Sequence, residues 1–177
     1  MTNGSPQAAR VAVLLGSDSD LPVMRACLEQ LEKLEVPYDC VVASAHRTPD
    51  RVARYVDECV AGGVQVFVCA AGGAAHLAGA VAAKTTLPVI GVPLDATPLA
   101  GVDALYSIVQ MPPGFPVATV AIGKFGAVNA GLLAAQIVAL TDAELDARVR
   151  AHRIATRETV MTKNARLRDE LGLPAEE

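Results

Sequence analysis

The sequence predicts an α/β fold: a three-layer, doubly wound parallel sheet of flavodoxin-like type with a C-terminal helical extension. Three observations carry it. Short apolar runs alternate with helix-spaced segments through residues 11–140, which implies a parallel sheet covered by helices on both faces. The runs are continuously apolar instead of alternating, as in strands buried on both sides. Right-handed crossovers then restrict five such strands to a doubly wound order.

The elements follow in sequence. Val11–Leu15 is a first strand, closed by Gly16-Ser17-Asp18-Ser19-Asp20. Met24, Cys27, Leu28, Leu31 and Leu34 recur at helical spacing over Leu21–Leu34, and Pro37 stops that helix. Cys40–Ala43 is a second strand, followed by Ser44-Ala45-His46-Arg47. Thr48-Pro49-Asp50 reads as a helix start with Thr48 as cap, and Arg51–Ala61 continues it to Gly62-Gly63. Gln65–Ala70 is the third strand, Leu77–Lys84 the third helix and Pro88–Val92 the fourth strand. A helix near Gly101–Gln110, a fifth strand over Val117–Ile122 and an Ala/Leu-rich helix over Ala127–Leu140 complete the core.

From Thr141 the character changes: residues 141–177 hold seven Lys/Arg and eight Asp/Glu. This reads as a solvated helix, or one that reaches a neighbouring subunit, with Asp142 and Glu144 in its first turn. We therefore expect a single domain over 1–177, with its core at 10–140 and a helix over about 141–171, the spans a chain of this length supports. Residues 1–9 and 172–177 are expected to fray.

Composition excludes several classes. A net charge of −4 argues against nucleic-acid binding, which needs a basic patch. Residues 59–83 and 104–123 lack charge, but paired glycines interrupt the first and Pro112, Pro113, Gly114 and Pro116 the second. Neither stretch can stay helical, so neither is expected to cross a membrane. No separate apolar region follows Arg10, so no signal peptide and a cytoplasmic location are expected. Cys27, Cys40, Cys59 and Cys69 form no CxxC pair and have no histidine at zinc-ligand spacing, so reduced, mostly buried thiols and no metal are expected. The 32 alanines, 3% aromatics and mean hydropathy of +0.36 leave surplus apolar surface, which suits a homo-oligomer.

In open α/β sheets ligands bind beyond the carboxyl ends of the strands. The first strand delivers Ser17, Ser19 and Asp20, either an anion-binding turn or a plain capped turn. It matches neither a dinucleotide fingerprint nor a P-loop. The second delivers Ser44, Ala45, His46 and Arg47, joining a group that titrates near neutrality to a bidentate phosphate ligand. The third delivers Gly72, Gly73, Ala74, Ala75, His76 and Leu77, where bare backbone admits a ligand or another element. His76 taken alone reads as structural. With no triad, metal set or paired carboxylates, the expected chemistry is proton transfer on a phosphorylated small molecule without a cofactor.

Five stretches carry a resemblance: GSDSD (16–20), SAHRTP (44–49), GGAAHL (72–77), LAGVDALYSIVQMPPGFPVAT (99–119), and AIG with AVNAGLLAAQI (121–137). In order and spacing the chain resembles the N5-carboxyaminoimidazole ribonucleotide mutases of purine biosynthesis. A related class that carboxylates aminoimidazole ribonucleotide directly carries Lys in place of Arg47 and Ser-Asn in place of Ala75-His76. The chain departs from the mutase pattern at Ala70, Ala78 and Phe125, where the family has Gly, Pro and a small residue.

The resemblance implies a ribonucleotide substrate whose carboxyl group moves from the exocyclic nitrogen to ring C4. It places phosphate and ribose on Ser17, Ser19, Asp20 and Arg47. It places proton transfer on His46, and a carboxylate and CO2 pocket on Ser44, Ala45 and Gly72–Leu77. It also implies a homo-octamer with shared sites. Three other readings compete: the direct carboxylase, a non-catalytic nucleotide-binding module with no use for His46, and a flavoprotein. The scarcity of aromatics disfavours the last.

Overall fold

The computed structural model describes residues 9–175. Its strands are β1 (Val11–Leu15), β2 (Tyr38–Val42), β3 (Val66–Gly72), β4 (Val89–Leu94) and β5 (Ala118–Thr119). Its helices are α1 (Leu21–Lys33), α2 (Pro49–Ala61), α3 (Leu77–Ala82), α4 (Val102–Val109), α5 (Gly123–Ala139) and α6 (Ala143–Glu170). All pairings are parallel, and the strands lie in the order β2-β1-β3-β4-β5. This is the expected flavodoxin-like order, with its topological switch beside β1.

The period-2 pleat divides each central strand between two cores. Val11, Val13, Leu15, Val66 and Val68 face α1 and α5, whereas Ala12, Leu14, Phe67 and Cys69 face α2, α3 and α4. Small residues bring the backbones close on the first side: a Cβ at Gly131 of α5 would lie 2.7 Å from the Cys27 carbonyl oxygen of α1. Cys27, Cys59 and Cys69 are buried free thiols whose pKa values burial pushes up.

Several expectations are corrected. Only β1, β3 and β4 are buried along most of their length; β2 is half-exposed because it forms an edge. The fifth strand is two residues long, not six, since only Ala118 and Thr119 register with β4. The helix after it starts at Gly123, four residues earlier than its apolar spacing suggests. Ala134 and Ala135 are fully buried within the chain, so they are core residues and not surplus surface. Ala9, expected to fray, is buried, and the rest of that expectation for the N-terminus falls on residues 1–8, outside the described residues, as do residues 176–177.

The acidic first turn of α6 is capped by Asp142, whose carboxylate accepts from the Leu145 amide and from Arg10. Only Leu145 and Val149 of this helix are buried, so most of its 28 residues are solvated, as the charge pattern implies. No helix among the described residues is long and apolar enough to cross a membrane.

Candidate active site

The carboxyl ends of β1, β2, β3 and β4 converge on one cavity. After β1, the Gly16 amide donates to the Ala70 carbonyl at 3.0 Å, tying the ends of β1 and β3 together. A single 3₁₀ turn follows at Asp18–Asp20. The Ser17 amide donates to Asp20 Oδ2 at 2.9 Å, while the Ser19 amide donates to Ser17 Oγ at 3.4 Å, forming a capping box. Asp20 is buried. Burial raises its pKa above the usual carboxylate value, against the lowering effect of the Ser17 and Gly16 amides. The turn is a capped turn, and its Ser17 and Ser19 hydroxyls, 2.9 Å apart, line the cavity.

The turn after β2 is held from within. The Arg47 amide donates to Ser44 Oγ at 3.2 Å, and one guanidinium nitrogen donates to the Gly16 carbonyl at 3.4 Å. Arg47 therefore bridges the first two turns while remaining exposed. Thr48 does not cap α2 through its side chain, as the sequence suggests. Its hydroxyl turns back to Ser44, accepting from that amide at 3.0 Å and donating to that carbonyl at 3.2 Å.

The turn after β3 has no room to spare. A Cβ at Gly72 would lie 2.5 Å from the Ala96 Cβ, and Gly73 sits at φ +63°, where side chains are strained. Ala75 and Leu77 are buried, but His76, at the start of α3, is exposed and turned toward the second turn. His46 Nε2 and His76 Nδ1 lie 2.8 Å apart, with the rings edge to face at 73°. His76 is thus not the isolated structural residue that its sequence context suggests. In such a contact one ring donates and the other accepts, the roles being set by the tautomers.

The cavity encloses about 280 Å³. Of the residues selected from sequence, Ser17, Ser19, Asp20, Ser44, Ala45, His46, Arg47, Gly72, Gly73, Ala74, His76 and Leu77 all line it. Ala75 does not, because it is buried behind the wall. Gly16, Ala71, Ala96 and Thr97 line it as well. Thr97 carries no charge or glycine signature of its own; its signal is position, since Asp95-Ala96-Thr97 directly follows the carboxyl end of β4. A shallower cavity of about 500 Å³ adjoins, lined by Ser17, Ser44, Arg47, Thr48 and Arg51 among others. Arg47 belongs to both. The trough therefore has one hydroxyl-rich end, lined by Arg47 and Arg51 together with Asp18 and Asp20, and one end of glycine and alanine, with paired imidazoles on its rim. Among the described residues no group of three His, Cys, Asp or Glu side chains is placed to hold a metal ion.

A family model described as AIR carboxylase matches residues 10–159. The N5-carboxyaminoimidazole ribonucleotide mutase of Escherichia coli K12 is 52% identical over 153 residues, covering 86% of this chain and 90% of that protein. The enzyme of the same name from Bacillus subtilis 168 is 50% identical over 157 residues, covering 89% and 97%. The crystal structure of Treponema denticola PurE superposes with a TM-score of 0.81 at 28% identity, covering 89% of this chain and 97% of that one. Half-identical sequences over nearly whole relatives, and one fold shared with a solved structure, establish that the chain belongs to the AIR carboxylase family.

Proposed function

We propose that this chain is an N5-carboxyaminoimidazole ribonucleotide mutase of purine biosynthesis, an isomerase that moves a carboxyl group from the exocyclic nitrogen to ring C4. The observation that carries the reading is the two-ended trough with His46 and His76 at 2.8 Å on its rim. The name and roughly half-identity of the relatives support it. Arg47 and the Ala75-His76 pair also stand on the mutase side of the two positions that separate mutases from direct carboxylases.

In this reading the 5′-phosphate lies against Ser19, Arg47 and turn amides, and the ribose hydroxyls lie toward Asp20. Charge-assisted hydrogen bonds give this end its grip. The carbamate enters the pocket of Ser44, Ala45, Gly72, Gly73, Ala74, His76 and Leu77, with Ala75 packed behind it. Its N–C bond breaks, CO2 is released, and the nitrogen keeps the bonding pair and takes a proton. The enamine carbon C4 then attacks the trapped CO2 and forms the new C–C bond. The proton on C4 must leave to restore the aromatic ring, and His46 takes it as general base. His76, hydrogen-bonded to His46, offers that proton a second site and fixes the ring that receives it. The proton released at C4 balances the one taken up at nitrogen, so the reaction is a net isomerisation.

The reading extends to a single domain, a cytoplasmic location and a homo-octamer in which the Pro112–Phe115 loop of one subunit lies near the His46 site of another. Surface composition supports assembly: Val102, Tyr106 and Val109 form an exposed apolar stripe on α4, and Phe125 on α5 is 82% exposed. The deciding experiment is carboxyl transfer from the carbamate to C4 with purified protein and no ATP. Product formed only from aminoimidazole ribonucleotide at high bicarbonate would assign the direct carboxylase instead.

A further inference from the structure

The mechanism leaves one cluster unused. Asp103, in the first turn of α4, points its carboxylate away from solvent toward the loop after β4. Its Oδ2 accepts the Thr97 hydroxyl proton at 2.7 Å, while its Oδ1 is buried with no partner. The Thr97 oxygen in turn accepts the Leu99 amide at 3.2 Å. This holds a loop that ends in two successive left-handed residues, Ala100 at φ +51° and Gly101 at φ +83°. Such a non-glycine conformation persists only where surrounding contacts enforce it. The other face of Thr97 packs toward the glycine turn, its methyl 3.5 Å from where a Gly73 Cβ would stand. One helical turn along α4, the Ser107 hydroxyl lies 2.8 Å from the Asp103 carbonyl and 3.4 Å from the Gly73 carbonyl. Asp103 and Ser107 thus reach, from one helix face, the two loops that meet at Gly72 and Ala96.

We infer that Asp103 is a positioning residue: through Thr97 it clamps the loop after β4 against the Gly72–His76 turn, keeping the far wall of the cavity closed while CO2 is free. The inference rests on the carboxyl-transfer reading. Cleavage of the carbamate leaves a neutral gas molecule that no charge retains, so retention depends on the wall staying shut until C4 attacks. The phosphate end of the trough, at Ser19 and Arg47, lies on other strand ends and does not feel the clamp. A loosened wall should therefore let CO2 escape without weakening nucleotide binding.

The test compares wild type with Thr97→Val, Thr97→Ser, Asp103→Ala and Asp103→Asn. Thr97→Val keeps a methyl toward the glycine turn and deletes the hydroxyl; Thr97→Ser keeps the hydroxyl and deletes the methyl. Two readouts are needed. The first is the fate of the carbamate, as 4-carboxy product or as aminoimidazole ribonucleotide plus CO2, together with KM. The second is amide hydrogen exchange over residues 72–76 and 95–100. Thr97→Val and Asp103→Ala should raise CO2 escape about tenfold or more, with KM changed less than about threefold, since a loss confined to the chemical step leaves uniform binding intact. Exchange should quicken in both segments. Thr97→Ser and Asp103→Asn, which keep the donor and an acceptor, should stay close to wild type. Unchanged escape and exchange in Thr97→Val, or equal losses in Thr97→Ser, would overturn the inference. If the wild type transfers no carboxyl group, the proposed function fails. The exchange arm then still decides whether the clamp exists.

Discussion

Gly72→Ala tests how tightly the site is built. The added methyl carbon would stand 2.5 Å from the Ala96 Cβ, with the Leu94 carbonyl oxygen at 3.4 Å and the Ala96 Cα at 3.6 Å. Non-bonded carbons are comfortable at about 3.5–4.0 Å, so the two loops must separate by roughly 1 Å. Overpacking of this kind costs about 1–3 kcal/mol. For a chain of this size that lowers Tm by roughly 2–12 °C, at about 2–4 °C per kcal/mol. The same shift displaces the turn that carries His76 away from its 2.8 Å contact with His46. A misplacement near 1 Å costs on the order of 10²-fold in rate, so turnover should fall more steeply than stability. The assay pairs thermal melts with carboxyl-transfer kinetics and includes Gly72→Ala/Ala96→Gly, which removes the closest partner and should recover most of both losses. Turnover within threefold of wild type, or no recovery in the double variant, would refute the claim that this contact sets the wall.

Three further outcomes are expected. His46→Asn should bind nucleotide yet lose at least about 10²-fold in turnover, the scale of a general acid–base group; kinetics within a few-fold of wild type would remove His46 from the mechanism. Asp20→Asn should cost activity but gain stability relative to the wild type as pH rises. Burial lifts the folded-state pKa above the unfolded value, so ionising Asp20 penalises the fold as pH climbs through that interval. The Tm difference between variant and wild type should be more positive at pH 7 than at pH 4, and a constant difference would contradict the assigned cause. Tyr106→Glu, on the exposed stripe of α4, should reduce the assembly seen by light scattering; an unchanged mass would take that stripe out of the interface.

The sequence made the interior legible and the rim less so. Val11–Leu15 reads as a strand because it is apolar throughout, and all five residues are buried. Val117–Ile122 has the same texture but forms only two residues of strand, because it is an edge with one neighbour to register against. Local pattern does not encode which strands become edges. Ala134 and Ala135 show a related ambiguity: a small residue on a helix fits a subunit contact or a close helix crossing, and the approach of α5 to α1 decides for the crossing. At the site, the strand ends point to twelve of the sixteen lining residues. The pairing of His46 with His76 stayed hidden, because it depends on the course of two turns that bring the rings together across the end of β1. Asp103 gave no local signal, since its partner Thr97 belongs to a loop whose course only the fold determines.

The two margins of the sheet have a consequence for solubility. An edge strand displays unpaired amide and carbonyl groups that can recruit a strand from another molecule, and long flat apolar edges nucleate aggregation. Here one margin is the two-residue β5, preceded by a segment in which Pro112, Pro113 and Pro116 lack amide hydrogens. The other margin, β2, carries Asp39, whose carboxylate is held by the Tyr55 hydroxyl at 2.7 Å. Adding a strand there crowds a charge, and adding one at β5 gains almost no ladder. An alanine- and valine-rich protein with a mean hydropathy of +0.36 is thereby steered away from growing its sheet between molecules. In the proposed assembly, contacts between copies would fall to helix faces and loops, where side-chain shape can limit how many copies join.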